Sequence, residues 1–141
     1  MASKDCFVVM PIKKDATEEY RHYRTLYEEW VKPIPEGKDS RVVRADDIQR
    51  SGLITQDVTL GLARADLVIA DLTDLNPNVF YELGVRHALR GQGTIMLIDE
   101  SRTLDVPFDI SPYRVIRFTS DMYGLSNHPR REAKKADFAN N

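Results

Sequence analysis

Two carboxylates on either side of a short polar stretch are the residues best suited to chemistry in this chain. Asp71 follows the apolar run of residues 67–70, and Glu82 lies in a helical pattern that begins after Asn76-Pro77. A carboxylate can act as a general acid or base, as a nucleophile, or as a stabiliser of positive charge that develops during a reaction. The sequence therefore predicts a site built on carboxylates, with Asp71 and Glu82 as the candidate catalytic residues.

Motifs of several other site classes are absent from the sequence. It has neither the Gly-x-Gly-x-x-Gly dinucleotide fingerprint nor the Gly-x-x-x-x-Gly-Lys-Ser/Thr phosphate loop. It also lacks a Gly-x-Ser-x-Gly elbow and a His-Glu-x-x-His zinc pair. The single cysteine, Cys6, and the scattered His22, His87 and His128 do not have the spacing of metal ligands. These absences disfavour kinases, dehydrogenases, common hydrolases and zinc proteases, and we expect neither a metal nor a cofactor.

The composition is that of one folded globular domain. The chain has 141 residues, of which 42% are hydrophobic and 30% charged, and its net charge is −2. No run reaches the roughly 20 apolar residues of a membrane span, and no excess of positive charge favours nucleic acid. Residues 1–127 are expected to form the domain, and residues 128–141 a basic helix or the start of a further segment. Because no apolar signal region precedes the first strand, we expect a cytoplasmic protein.

Apolar runs alternate with helical patterns along the chain. The runs that predict strands are residues 6–10, 41–44, 67–70, 94–98 and 113–118. Helices are predicted over about residues 16–32, over a stretch after Gly52, and from an Asn76 N-cap to about Arg90. Pro33 is expected to end the first helix. This alternation predicts an α/β fold: a flavodoxin-like, doubly wound parallel sheet of five strands in the order 2-1-3-4-5.

The predicted strand order indicates where a ligand binds. In open α/β sheets, ligands bind beyond the carboxyl ends of the strands where the strand order reverses, which here lies between the first and third strands. The loops after these two strands and the first turns of the third helix meet there, and the end of the second strand supplies a side wall. The candidate binding residues in these segments are Met10, Pro11, Ile12, Arg44, Asp46, Asn76, Asn78 and Tyr81.

Residues 65–89 resemble a known family. They contain the stretch Asp71-Leu72-Thr73-Asp74-Leu75-Asn76-Pro77-Asn78-Val79-Phe80-Tyr81-Glu82-Leu83-Gly84, and they are similar to the core of nucleoside 2-deoxyribosyltransferase-like proteins and of related bacterial TIR-like domains. A looser similarity runs from residues 7–11 through 44–48 to 107–110, so it covers most of the chain. The Glu-Leu-Gly segment is the sharpest part of this resemblance.

The resemblance implies a chemistry for Glu82. In that family the glutamate of Glu-Leu-Gly attacks the anomeric carbon of a nucleoside, and TIR-type NAD glycohydrolases use a glutamate in a comparable helix. It therefore implies cleavage or transfer of an N-glycosidic bond in a nucleoside, nucleotide or NAD-type substrate, with Glu82 as nucleophile or oxocarbenium stabiliser. Asp71 would orient sugar hydroxyls or a water molecule, and crowding of the two carboxylates would raise one pKa.

The chain departs from that family pattern at one position. Six residues before the glutamate, where those enzymes often have an aspartate, this sequence has Asn76. An amide cannot transfer a proton as a carboxyl group can. The departure favours hydrolysis, or a cationic leaving group such as nicotinamide, over exchange of neutral bases, because a cationic base leaves without being protonated.

Each candidate residue also has a purely structural interpretation. Glu82 and Arg86 are four residues apart, so they can form an exposed helical ion pair worth roughly 0.3–0.5 kcal/mol. Asp71 can accept backbone amides of its own turn, and Asn76 can act only as an N-cap. A second function class also stays open: a non-catalytic TIR-like signalling module that senses a nucleotide or self-associates into a homo-oligomer.

Overall fold

The computed structural model describes residues 3–11, 23–45, 47, 54–102, 105–106 and 113–119. Two of the predicted binding residues, Ile12 and Asp46, lie outside this part of the chain. So do the first turns of the first predicted helix and the predicted segment 128–141. Within the described residues, no helix is both long enough and apolar enough to cross a membrane.

Five parallel strands form one sheet in the order β2-β1-β3-β4-β5. Their bounds are β1 (Lys4–Val9), β2 (Ser40–Arg44), β3 (Leu67–Asp71), β4 (Thr94–Asp99) and β5 (Arg114–Phe118). The predicted α/β class and the flavodoxin-like strand order are thereby confirmed. Val9 lies beside Ala70 in the register of β1 and β3, so the loops after these strands leave the same edge of the sheet.

The helices follow the predicted pattern with one correction. Residues 23–31 are helical and include a π-helical turn, Tyr27–Val31. Pro33 does not end the helical region, as predicted, but begins a short helix, α1 (Pro33–Glu36). Proline is tolerated at the first position of a helix because its missing N–H would have no helical partner there. The two longer helices are α2 (Ile54–Arg64) and α3 (Pro77–Leu89).

The sheet separates two apolar layers. Side chains such as Val8, Ile69 and Leu97 pack with the helical residues 23–31 on one face, which we call the aromatic face. Their strand neighbours pack with α2 and α3 on the other, which we call the α2/α3 face. Tyr23, Tyr27 and Trp30 are at most 3% exposed, so they belong to the core on the aromatic face.

Candidate functional site

The loop that joins β3 to α3 lies at the carboxyl edge of the sheet and is held in an unusual backbone shape. Residues Thr73–Leu75 form a single 3-10 turn. Asp74 and Leu75 have φ angles of 62° and 50°, in the left-handed region that side chains other than glycine rarely adopt. Such residues cost roughly 1–3 kcal/mol each, so neighbouring contacts must hold the loop in place.

Asp71 supplies the inner anchor of this loop. Its side chain is fully buried, and Oδ1 accepts a hydrogen bond of 3.0 Å from the backbone N–H of Thr73. The Thr73 hydroxyl oxygen accepts in turn from the backbone N–H of Asp99, at 2.9 Å. The ends of β3 and β4 are thus tied together through one threonine. This is the backbone-anchoring role that the structural interpretation of Asp71 predicts.

Asp74 supplies the outer anchor. Its carboxylate accepts a 2.5 Å hydrogen bond from the Tyr23 hydroxyl. Arg102 donates to the same carboxylate from Nε and Nη2, at 3.3 and 2.8 Å, and its guanidinium lies 5.6 Å from the centre of the Tyr23 ring. We call these three residues the Asp74 clamp. Burial first, and then the bond to Asp74, raise the pKa of Tyr23, so its hydroxyl keeps the proton that it donates.

Removing the Tyr23 hydroxyl is expected to weaken the clamp measurably. Tyr23→Phe deletes a hydrogen bond to a charged acceptor, so we expect the free energy of unfolding to fall by about 1–2 kcal/mol. Urea denaturation measures this loss. Tyr81→Phe is the matched control, since Tyr81 is 71% exposed, and it should change stability by less than about 0.5 kcal/mol. Equal effects of the two variants would contradict the clamp.

The electrostatics of the loop are dominated by the burial of Asp71. The pKa of Asp71 is raised from 3.8 to about 6, chiefly by desolvation; hydrogen bonds from Thr73 oppose the rise, and the nearby Asp99 and Asp74 add to it. Its Oδ2 is buried and accepts no hydrogen bond. The direction of the shift is the one predicted for crowded carboxylates. The largest cause is burial, ahead of the neighbouring carboxylates Asp99 and Asp74.

This raised pKa predicts how stability depends on pH. The unfolded chain has the ordinary aspartate pKa of 3.8 and the folded chain one of about 6, so the folded state binds more protons between these values. Acidification from pH 7 to pH 5 therefore favours folding through Asp71. We expect the parent to gain about 1 kcal/mol relative to Asp71→Asn over this interval. Urea denaturation at both pH values tests this, and identical pH dependence in both proteins would refute it.

Helix α3 carries Glu82 on a flank of its buried face. The Asn76 carboxamide oxygen caps this helix by accepting from the N–H groups of Asn78 and Val79, at 2.9 and 3.4 Å, and Pro77 is the first helical residue. The predicted N-cap is thereby confirmed. Glu82 is half-buried, six residues after the cap.

The direction that Glu82 faces follows from the helical spacing. Val79, Leu83 and Arg86 form the buried stripe of α3. On one flank of that stripe His87 stacks on Tyr113, just before β5, with ring centres 4.0 Å apart. At about 100° per residue Glu82 falls on the opposite flank. Because α3 also packs against α2 and β1, this flank faces the β1 side, where the strand order reverses.

The predicted ion pair between Glu82 and Arg86 is wrong, because the Arg86 guanidinium is buried and donates elsewhere. Nη1 donates to the carbonyl oxygens of Leu62 and Ala65, at 2.7 and 2.9 Å. Nη2 donates to the carbonyls of residues 92 and 93, and Nε to the Thr94 hydroxyl. Arg86 therefore ties the end of α2 to the start of β4. An ion pair with Glu82 at the surface would draw the Arg86 guanidinium away from these carbonyl groups and break the link between α2 and β4.

Asp71 and Glu82 approach the carboxyl edge from opposite sides of the sheet. Because side chains alternate along a strand, Asp71 shares the aromatic face with Ile69, whereas Glu82 belongs to the helix on the α2/α3 face. The described contacts of Asp71 are with Thr73. Asp71 therefore supports the loop from within, and Glu82 is the more accessible of the two carboxylates.

The other predicted binding residues differ in exposure. Met10 and Pro11 are buried directly after β1. Arg44 is 2% exposed at the end of β2, with its guanidinium 5.3 Å from the centre of the Tyr27 ring. Asn78 is exposed in the first turn of α3, and Tyr81 faces solvent on the side of α3 away from the core. The ends of β1 and β3 and the start of α3 therefore meet at the carboxyl edge of the sheet. Tyr81 is not part of this group.

Two further observations bear on the chemistry of the chain: its capacity to hold a metal ion and its similarity to known proteins. Within the described ranges, no group of three or more histidine, cysteine, aspartate or glutamate side chains is arranged to hold a metal ion. Comparison of the sequence with protein-family models gives no match. A search of curated proteins likewise gives no match.

Proposed function

We propose that this protein cleaves the N-glycosidic bond of a nucleoside, nucleotide or NAD-type substrate, with Glu82 as the nucleophile or as the stabiliser of the cationic sugar. The observation that carries the proposal is the position of Glu82. It is half-buried on the flank of α3 that faces β1, behind a helix start fixed by Asn76. The resemblance of residues 65–89 to deoxyribosyltransferase-like and TIR-like proteins supports the same role.

The proposed reaction needs a negative charge beneath the sugar. When the bond between the anomeric carbon and the base nitrogen breaks, the base leaves with the electron pair and positive charge develops on the sugar. The Glu82 carboxylate either stabilises this charge or forms a covalent bond to the anomeric carbon. Water then attacks the anomeric carbon and releases a proton to the medium, so that the sugar keeps a hydroxyl group; where the covalent bond to Glu82 has formed, this attack breaks it and frees the carboxylate with the electron pair.

The surroundings of Glu82 favour a leaving group that is already cationic. A neutral purine needs a proton as it leaves, whereas a nicotinamide that carries positive charge does not. Asn76 is an amide engaged in capping α3, and Asp71 is fully buried, so neither side chain is placed to protonate a leaving base. NAD is therefore the favoured substrate, and hydrolysis is favoured over base exchange.

Asp71 takes the role of a positioning residue in this proposal. Its bond to Thr73 shapes the loop that leads to the Asn76 cap, so it acts on Glu82 through the start of α3. Because the loop is already fixed when the substrate binds, less free energy is needed to orient the sugar over the carboxylate.

The proposal is tested by incubating the purified protein separately with NAD, deoxynucleosides and deoxynucleoside monophosphates, with and without an added acceptor base. Chromatography then measures the released base. We expect free nicotinamide from NAD without any need for the acceptor. Release from deoxynucleosides only when the acceptor is present would identify a transferase instead. If none of the substrates releases base at high protein concentration, the catalytic proposal is wrong and the signalling module is the better interpretation.

A further inference from the structure

The outward side of helix α3 carries no charged side chain. The structure describes all 13 residues of this helix, and only Glu82 and Arg86 among them are charged at pH 7. Glu82 is half-buried on a flank of the buried face, and Arg86 is buried within that face. The solvent side of a surface helix normally carries charged and polar residues. The outward side of α3 therefore differs from that of an ordinary surface helix.

Apolar and small side chains cover this outward side. Tyr81, Val85 and Leu89 are spaced four residues apart, so they lie above one another along the helix. Tyr81 is 71% exposed and Leu89 52%, while Val85 is half-buried. Gly84 and Ala88 lie beside this row and are exposed. We call these five residues the outer α3 face. Adjoining exposed apolar side chains favour an interaction site, whereas single ones are ordinary on a protein surface.

Gly84, at the centre of this face, is not required by the packing of the helix. Glycine in a helix interior is less favourable than alanine. The φ angle of Gly84 is not positive, and a Cβ atom added to it would meet no neighbouring atom within 4 Å in the described part of the chain. A glycine on a helix surface lets another backbone approach closely. Gly84 therefore favours a partner on the outer α3 face.

We propose that the outer α3 face binds the same face of a second copy of this chain and forms a weak homodimer. An uncharged partner surface is required, because a charge buried against this face loses its hydration without gaining a counter-ion. A second copy presents such a surface. With a two-fold axis at Val85 and the two helices antiparallel, Tyr81 packs against Leu89 of the partner subunit, and the same contact recurs at the other end of the interface.

The size of the outer α3 face sets the expected strength of the dimer. A helix of 13 residues is about 20 Å long. One face of such a helix is smaller than the roughly 800 Å² that each partner buries in a standard stable interface. We therefore expect the full chain to form dimers progressively between about 10 μM and about 1 mM. Sedimentation velocity measures this, and a protein that stays monomeric over the whole interval overturns the proposal.

Replacing Leu89 by lysine tests whether the outer α3 face forms the contact. Leu89→Lys places a charge in the interface twice, once from each copy, so the dissociation constant should rise at least about tenfold. Leu60→Lys is the matched control, because Leu60 is 45% exposed on α2, and it should leave the constant within about twofold. Urea denaturation of dilute protein should show parental stability for both variants. Equal effects on association would overturn the proposal.

Gly84→Leu separates assembly from folding. The added Cβ atom lies in open space in the monomer, so stability should not fall. The side chain holds two facing helices apart, however, and should weaken the dimer at least about tenfold. A Gly84→Leu protein that dimerises like the parent would contradict the close approach of the helices and overturn the proposal. Glu82→Gln should dimerise as the parent does, so this test is independent of the proposed glycosidase activity.

Mixing two variants tests the antiparallel arrangement. In a mixed dimer of Tyr81→Asp and Leu89→Lys chains, the introduced carboxylate lies against the introduced amine at one end, and the other end keeps the parental contact. The mixture should therefore associate at least about fivefold more tightly than either variant alone. A mixture that associates no more tightly than its components would show that this face does not pair with a second copy in this way, and the proposal would be wrong.

Discussion

Replacing Glu82 by glutamine is expected to lower the rate of base release from NAD by about a hundredfold to a thousandfold or more. The amide has nearly the shape of the carboxylate but no negative charge. It can neither stabilise the cationic sugar nor capture it covalently. Single-turnover incubation followed by chromatography measures the rate of the chemical step. Calorimetry should show that the affinity for NAD changes by no more than about threefold, because the lost interaction develops only in the transition state.

Glu100→Gln is the matched control for this experiment. Glu100 directly follows β4 at the same edge of the sheet, and its side chain is 47% exposed beside Arg117. This variant should release base at the rate of the parent, and urea denaturation should show that both variants keep the parental stability. Base release by Glu82→Gln at the parental rate would rule out the assigned role. Equal losses in both variants would show that the edge needs negative charge in general and not Glu82 in particular.

The architecture was predictable because it depends on patterns that the sequence carries locally. Buried parallel strands appear as continuous apolar runs, and the right-handed crossover rule limits how such strands can be ordered. The position at which α3 begins was predictable in the same way, because Asn76 and Pro77 are residue types that are preferred at the start of a helix. The observed sheet order and cap agree with these expectations.

The Asp74 clamp was not predictable, because its members are distant in the sequence. Tyr23 and Asp74 are 51 residues apart, and Asp74 and Arg102 are 28 apart. The left-handed backbone of Asp74 has only a weak signal, since aspartate is among the residue types that tolerate this conformation. Only the folded sheet brings the first helical segment next to the loop after β3.

Two other features had a signal that the sequence interpretation did not use. Asp71 is two residues beyond Ile69, so strand alternation alone assigns both to the same face. Arg86 is three residues after Leu83 and seven after Val79, which puts it on the buried stripe of α3. The helical spacing of Glu82 and Arg86 suggested a surface pair, but the phase of the apolar residues already assigned the arginine to the interior.

Replacing Arg86 by methionine is expected to lower the free energy of unfolding by about 2–4 kcal/mol. Methionine fills much of the volume but leaves the carbonyl groups of Leu62 and Ala65 buried without donors. The backbone around Arg86 is also shaped to fit it. Gly93 has a φ of +80°, and a Cβ atom there would lie 2.9 Å from Arg86 Nη2. Urea denaturation of the parent and the variant measures the loss.

Arg86→Lys distinguishes the geometry of the guanidinium from its charge. Burial, and then the nearby Arg90, lower the pKa of Arg86, as expected for a charge that has lost its hydration. Lysine keeps that charge but cannot reproduce the planar set of five donors, so we expect Arg86→Lys to be at least as unstable as Arg86→Met. Arg90→Met, at an exposed position one turn later, should change stability by less than about 0.5 kcal/mol. A lysine variant as stable as the parent would mean that charge alone, and not the directed hydrogen bonds, holds α2 to the start of β4.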